Sequence, residues 1–217
     1  MDRNVLGIIV SFAFIFAVIF LAGLLKKLGQ EASRKFVHIG VSNWWLIAMA
    51  YFTSPVWAAV VPASFVVLNY LSYKYGLFKS MERQGGKEDL GTVYYAISLL
   101  ILSILTFGDG GKPYLGAVGI LVMGYGDGLA AVVGKALGWG KYKLFGAKKS
   151  AAGSIAMFIA SFAVTGILMA AYAGGFDAGK AVIVASVATL LEAATPLGFD
   201  NLTVPLGTYA ALILMGM

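Results

Sequence analysis

Cysteine is absent from this 217-residue chain, and histidine occurs only once, as His38. The absence of cysteine excludes disulfides, a thiol nucleophile and thiolate metal sites. A single histidine excludes a metal centre built from several imidazole groups. Any chemistry that the chain performs must therefore rest on carboxylates, hydroxyl groups, lysines, arginines and this one histidine.

Charged residues are also scarce. They make up 12% of the chain, whereas 60% of the residues are hydrophobic and the mean hydropathy is +0.87. These values are typical of an integral membrane protein, and we predict an all-α, polytopic membrane helix bundle. We expect about eight apolar segments, at roughly 5–25, 36–53, 55–73, 91–107, 114–134, 152–172, 180–194 and 202–217.

The basic residues are distributed unevenly over the connecting loops. The loops after the first, third and fifth segments hold four, four and five of the 16 lysines and arginines. The positive-inside rule places these loops in the cytoplasm and both termini outside. The formal charge of +6 is then explained by membrane topology, and no nucleic-acid partner is expected. We expect a multi-pass protein of a prokaryotic cell membrane whose polar site faces the cytoplasm.

The one histidine lies a helical turn away from two basic residues. Arg34 and His38 are four residues apart and share one helix face, with Lys35 beside them. An arginine at the membrane boundary can bind a phosphate group through two parallel hydrogen bonds. The same pattern also arises if Arg34 and Lys35 only orient the chain in the membrane and His38 is hydrogen-bonded to a neighbouring helix. Both interpretations stay open on these residues alone.

A carboxylate stands near the end of the fifth apolar segment. This residue, Asp127, lies between Gly126 and Gly128, and further glycines follow at Gly134 and Gly138. A stripe of small residues usually marks close helix packing, but packing does not require a carboxylate. Glycines also let a ligand approach the backbone. We interpret Asp127 as a ligand of Mg²⁺ carried by nucleotide phosphates, because Mg²⁺ uses one or two carboxylates together with phosphate oxygens.

A basic loop rich in hydroxyl groups precedes the sixth segment. It runs from Lys148, Lys149 and Ser150 to Gly153 and Ser154. Free amides at the start of a helix favour anions, and the lysines add positive charge. The spacing differs from that of a Walker P-loop. The loop therefore predicts a phosphate-binding site of a different kind.

Two further acids follow on the same predicted membrane face. Glu192 lies inside the seventh apolar segment, where an acid is a functional candidate. Asp200 precedes the eighth segment, where it can cap the helix or join a metal site. Together with Asp127, these two acids form the predicted set of metal ligands. The unusual polar groups of the chain thus converge on one face.

The combination of these elements resembles the CTP-dependent lipid-alcohol kinases. That family includes dolichol, phytol and farnesol kinases and the yeast-type diacylglycerol kinase, and it is distantly related to the phosphatidate cytidylyltransferases. One departure is Ala152, where dolichol kinases often carry an acid. The matching elements cover most of the chain: Arg34-Lys35-x-x-His38, Gly91-x-x-Tyr94-Tyr95, Asp127-x-x-Ala130-x-x-x-Gly134-x-x-x-Gly138, Lys148-Lys149-Ser150-x-x-Gly153-Ser154, and Glu192 with Asp200-Asn201 and Pro205.

The resemblance implies a single integral membrane catalytic domain over residues 1–217. It implies CTP as phosphoryl donor, with Mg²⁺, and an isoprenoid alcohol as acceptor: phytol, farnesol, geranylgeraniol or a polyprenol. A carboxylate, Asp127 or Glu192, is the favoured general base, and His38 is the alternative. The phosphates are expected to lie among basic and hydroxyl side chains, at Arg34, Lys35, Lys148, Lys149, Ser150 and Ser154.

Three other functions compete with this interpretation. A CTP-dependent diacylglycerol kinase would share the donor site and differ in the acceptor. A phosphatidate cytidylyltransferase would also bind CTP·Mg²⁺, but its His-Gly-Gly-x-x-Asp-Arg signature is missing. A small ion-coupled transporter would place its acids near the membrane midplane, whereas here the polar groups cluster at one face.

Overall fold

A computed structural model describes residues 1–25, 29–75 and 90–217. The described residues form ten α-helices, one π-helical turn and one β-hairpin. Their bounds are α1 Arg3–Leu24, α2 Gln30–Ser42, α3 Trp44–Tyr51, α4 Pro55–Tyr75, α5 Gly91–Thr106, α6 Pro113–Leu121, the π-helical turn Val122–Asp127, α7 Gly128–Leu137, β1 Lys141–Leu144, β2 Ala147–Ser150, α8 Ala151–Tyr172, α9 Ala178–Ala194 and α10 Asp200–Leu214.

Four stretches of the described residues are long and apolar enough to cross a membrane. They are α1, α4, α8 and the continuous helix Pro113–Leu137, which α6, the π-helical turn and α7 form together. A shorter apolar helix is α5. The all-α prediction is confirmed, with one departure: the fifth loop contains the hairpin of β1 and β2.

The central element of the bundle is the helix Pro113–Leu137. All residues of α6 from Leu115 onward are buried. A Cβ atom on Gly116 would lie 2.2 Å from the Trp45 ring, and one on Gly119 would lie 2.6 Å from the carbonyl oxygen of Pro205. These glycines let α3 and α10 approach the central helix more closely than larger side chains would permit.

The π-helical turn places Asp127 between two neighbouring helices. A Cβ atom on Gly124 would collide with Ser42 of α2, and one on Gly126 would collide with Met157 of α8. Such turns insert one residue into an α-helix and often occur at functional sites. The small residues around Asp127 therefore hold its backbone against both α2 and α8.

The hairpin connects α7 to α8. It pairs Lys141 with Ser150 and Leu144 with Ala147 in an antiparallel register. Phe145 and Gly146 form its turn with φ values of 45° and 89°, and positive φ at both central residues is typical of a type I′ hairpin. The hairpin brings the predicted basic loop back over the end of the bundle.

Several of the basic residues from which the membrane topology is predicted lie outside the described residues. These are the basic residues of the first loop at 26–28 and of the third loop at 76–89. Among the described residues, the C-terminal ends of α7 and α9 and the N-terminal ends of α8 and α10 meet around one cleft. This end of the bundle carries the candidate site.

Candidate functional site

The cleft at this end of the bundle has a volume of about 930 Å³. Its walls are α7, the hairpin, the start of α8, the end of α9 and the turn that leads into α10. Most of the predicted site residues lie here. Six lysines and three carboxylates line the cleft: Lys35, Lys135, Lys141, Lys143, Lys148 and Lys149, with Asp127, Glu192 and Asp200.

One buried ion pair lies at the inner wall of the cleft. Lys35 Nζ donates a hydrogen bond of 2.5 Å to Asp127 Oδ2, and both residues are less than 10% exposed. His38 Nε2 lies 3.9 Å from the same carboxylate oxygen. A buried charge requires a partner, because an unpaired one loses its hydration without compensation. Lys35 therefore pairs with Asp127 at the boundary between α2 and the cleft.

A second ion pair lies across the cleft. Lys149 of β2 donates to Glu192 Oε1 near the end of α9, and its Nζ lies 4.0 Å from Asp200 Oδ2. Burial alone would lower the pKa of Lys149, but the carboxylates of Glu192 and Asp200 outweigh burial, so the net pKa is raised. Lys149 thus keeps its positive charge while it is partly shielded from water.

Close packing of α7 on α8 forms the back wall. A Cβ atom on Gly134 would lie 2.8 Å from Ser150 Oγ, and one on Gly153 would lie 2.9 Å from the carbonyl oxygen of Ala130. Ser150 caps α8 by accepting a hydrogen bond from the Gly153 amide at 3.2 Å. Ser154 lies on the same wall, and its hydroxyl is 2.7 Å from that of Tyr142. The Lys-Lys-Ser-x-x-Gly-Ser loop thus becomes a strand, a cap and a first helical turn.

The other three predicted glycines have contacts of a different kind. Gly126 packs on Met157, and Gly128 packs on Ile39. Gly138 ends α7 in a left-handed conformation at φ 62°, which favours glycine. The nucleotide-binding role of these glycines remains a prediction, because the described contacts give each a structural role.

A second, smaller pocket lies on the other side of His38. It has a volume of about 80 Å³ and lies between α1, α2, α4 and α5, with contributions from Trp44 at the start of α3 and Asn201 in α10. Arg34 lines this pocket and not the large cleft. The structure thus places Arg34 beside this pocket, and its role in phosphate binding stays a prediction.

The carboxylates fit a metal ion that arrives with phosphates better than a resident ion. The described residues contain no group of three His, Asp or Glu side chains placed to hold a metal. Asp127 and Glu192 are each paired with a lysine, but both line the cleft. Mg²⁺ needs only one or two protein carboxylates when phosphates supply other ligands. The metal role of Asp127, Glu192 and Asp200 remains a prediction.

Sequence patterns did not single out several residues that line the cleft. Lys135 projects from the last turn of α7, while Lys141, Tyr142 and Lys143 come from β1. The lysines are expected from topology alone, so their sequence positions carry little functional signal. Recognition of the hairpin in the sequence would have predicted that β1 lies beside Lys148 and Lys149.

Comparison with known proteins identifies similar chains. The chain is 39% identical to a phytol kinase of Synechocystis sp., over 88% of this chain and 84% of that protein. It is 34% identical to a probable chloroplastic phytol kinase of Triticum aestivum, over 86% and 68% of the two chains. It is 32% identical to phytol kinase 1 of Arabidopsis thaliana, a chloroplastic protein, over 85% and 66%. No protein-family model and no solved structure matches the chain.

Proposed function

This chain belongs to the phytol kinase family, and we propose that it transfers a phosphoryl group to the hydroxyl group of an isoprenoid alcohol. The observation that carries the proposal is the lysine-lined cleft, which opens at one end of an apolar helix bundle. A polyanionic donor and a membrane-dissolved acceptor can meet at such a boundary. Similarity to the phytol kinase of Synechocystis sp. supports phytol as one acceptor.

The donor is CTP, bound with Mg²⁺ in the large cleft. Six lysines offset the three carboxylates there, so the cleft has the excess positive charge that a triphosphate requires. Lys148, Lys149 and the capped start of α8 bind the phosphates, and Asp127 with Glu192 holds the ion that the nucleotide carries. The ion's chemical contribution is to offset negative charge on the transferred phosphoryl group. The choice of CTP follows from the family resemblance.

The residues of the cleft act mainly by positioning and by charge. The alcohol oxygen forms a bond to the γ-phosphorus while the bond to the nucleoside diphosphate breaks, and the hydroxyl proton passes to a carboxylate. Asp127 is the carboxylate that we favour for this step, since its Oδ2 lies 3.9 Å from Nε2 of His38, which lines the pocket on the bilayer side. Lys35 and Lys149 stabilise negative charge that develops during transfer.

The site faces the cytoplasm, and the described residues act as one catalytic domain. Eight apolar segments cross or enter the membrane, and both termini lie outside. The support is that the lysines of the fifth loop, which the positive-inside rule assigns to the cytoplasm, line the cleft.

The absence of cysteine makes this topology directly measurable. We expect single cysteines at Phe145 and at Lys112 to react with a membrane-impermeant maleimide from opposite sides of sealed vesicles. Both positions are exposed in the structure. Equal labelling of the two positions from one side would contradict the proposed topology.

Labelled CTP tests the reaction itself. Purified protein incubated with phytol and CTP labelled at the γ-phosphate should produce labelled lipid, and CTP labelled at the α-phosphate should not label it. Transfer of the α-label would indicate a cytidylyltransferase. Phosphorylation of diacylglycerol without phosphorylation of any isoprenoid alcohol would replace the acceptor. No turnover with any lipid would leave the transporter as the remaining hypothesis.

A further inference from the structure

The small pocket changes in polarity along its length. Arg34, Asn69 and Thr92 line it at the ends of α2, α4 and α5 that lie on the cleft side of the bundle. Apolar side chains such as Val61 and Leu99 line it deeper in the bundle. From Gly91 to Leu99 the pocket follows α5 for about 12 Å. A ligand with one polar end and an apolar body matches this gradient.

Four polar atoms of residues that line the pocket have no hydrogen-bond partner within the part of the chain that the structure describes. They are the buried atoms His38 Nε2, Asn201 Oδ1, Tyr95 Oη and Trp44 Nε1. Buried polar atoms in folded proteins are usually hydrogen-bonded, so an unpaired atom calls for a ligand or water. A hydroxyl group can donate one hydrogen bond and accept others. A hydroxyl group is therefore a suitable hydrogen-bond partner for His38 Nε2 in this pocket.

The pocket and the cleft meet at one pair of side chains. His38 lines the pocket, Asp127 lines the cleft, and Nε2 of the first lies 3.9 Å from Oδ2 of the second. A hydroxyl group bonded to His38 would therefore lie next to the wall of the phosphate site. This is the placement that transfer between the two compartments requires.

The volume limits what can enter. The pocket is small, about 80 Å³ against about 930 Å³ for the cleft, so it encloses the hydroxyl end of a long-chain alcohol and not the whole tail. The rest of a long chain must lie elsewhere. Helix α1 packs closely on α2 and α3 and touches α4 at few positions. The side between α1 and α4 thus offers a route into the bilayer.

We propose that the pocket between α1, α2, α4 and α5 binds the hydroxyl end of the acceptor alcohol. The hydroxyl group is hydrogen-bonded to His38, and the apolar tail lies in the bilayer. This inference rests on the proposed kinase function. It makes selection depend on the carbons nearest the hydroxyl group. A primary isoprenoid alcohol has a slim end, whereas diacylglycerol carries an ester on the adjacent carbon. Tail length beyond the first carbons should matter little, since the tail stays among lipids.

Photochemical labelling tests the location without relying on turnover. The probe is a farnesol analogue that carries a diazirine near its hydroxyl group, added to the protein in lipid nanodiscs. We expect labelled peptides from α2, α4 or α5, and we expect excess phytol to prevent the labelling. Labelling that phytol prevents but that maps to α8 or α9 would overturn the proposed pocket.

A pocket-filling substitution tests the same site through kinetics. Ala96 lines the pocket and is 2% exposed, so Ala96→Leu places three more carbons in it. We expect the KM for farnesol to rise by about tenfold or more, with unchanged binding of CTP. The matched control is Ala185→Leu, a fully buried alanine of α9 that lines neither pocket. It should lower thermal stability without a selective change in the KM for alcohol.

The failure of this pocket can be distinguished from the failure of the proposed function. If wild-type protein phosphorylates farnesol, and Ala96→Leu shows the same KM for farnesol as Ala185→Leu, the pocket assignment is wrong and the kinase function stands. If wild-type protein phosphorylates no alcohol, the function is wrong, and this inference falls with it.

Discussion

The two cavities beside His38 differ in both size and chemistry. The cleft is about 930 Å³ and is lined by nine charged side chains, whereas the pocket is about 80 Å³ and is mostly apolar apart from its polar end. A hydrated nucleotide needs room and charge, while the end of a lipid alcohol needs a narrow, dry space. The difference indicates that the chain selects its donor by electrostatics and its acceptor by shape. Lys35, Asp127 and His38 form the contact between the two.

Breaking that contact should have the largest effect. Asp127→Asn keeps the shape of the side chain but removes the charge that pairs with Lys35. Turnover should fall by about 10³-fold or more, because the amide would hold Mg²⁺ poorly and could not accept the hydroxyl proton. Kinase assays on the purified variant measure this loss.

The same substitution also leaves Lys35 buried without a counter-charge, at a cost of about 3–5 kcal/mol in stability. The double variant Lys35→Gln/Asp127→Asn should recover much of the thermal stability and none of the activity. Wild-type turnover in a folded Asp127→Asn sample would remove this aspartate from the site.

A substitution confined to the cleft should have the second-largest effect on turnover. Lys149→Ala should reduce turnover by about 10²- to 10³-fold, because it removes a positive charge from the phosphate site and leaves buried Glu192 without its lysine. The matched control is Lys112→Ala, at an exposed lysine away from the cleft. Equal activity in the two variants would show that the cleft lysines serve topology alone.

A substitution in the back wall of the cleft, where α7 packs on α8, tests whether the two cavities bind different substrates. Gly134→Ala would place a methyl group 2.8 Å from Ser150 Oγ, at the back of the cleft. We expect the KM for CTP to rise by up to about tenfold, with little change in the KM for farnesol. A rise in the farnesol KM alone would assign this wall to the acceptor.

The smallest expected effect concerns the end of α7. Gly138→Ala forces a residue with a side chain into a left-handed conformation at φ 62°, which should cost about 1 kcal/mol in the free energy of unfolding. Denaturation measures this cost. If Gly138 also binds nucleotide, as the sequence predicts, CTP affinity will fall by more than stability explains.

Sequence reasoning located most of the candidate site because its residues violate the apolar pattern. Asp127 and Glu192 interrupt apolar segments, and charges in such positions tend to gather where they can be paired. Lys148, Lys149 and Ser150 stand beside a helix start. The structure brings all five to one cleft, while their individual roles stay predictions.

Other features could not be read from the sequence. The spacing of Arg34 and His38 fixes a shared helix direction but not the neighbour that this direction meets, which is an apolar pocket. The π-helical turn has no composition signal, and the strands of the hairpin are four residues each and rich in lysine. Pairing Lys35 with Asp127 required knowing which helices are adjacent in space.

The Lys35–Asp127 pair also has a consequence for biogenesis. The two residues are 92 positions apart, so Lys35 leaves the ribosome long before its partner exists. Until Asp127 is present, the buried ammonium group of Lys35 lacks its counter-charge, and a buried charge without a partner is unfavourable. We infer that α2 settles fully into the bundle only after the helix Pro113–Leu137 has been synthesised. The order of membrane insertion would then differ from the order of translation.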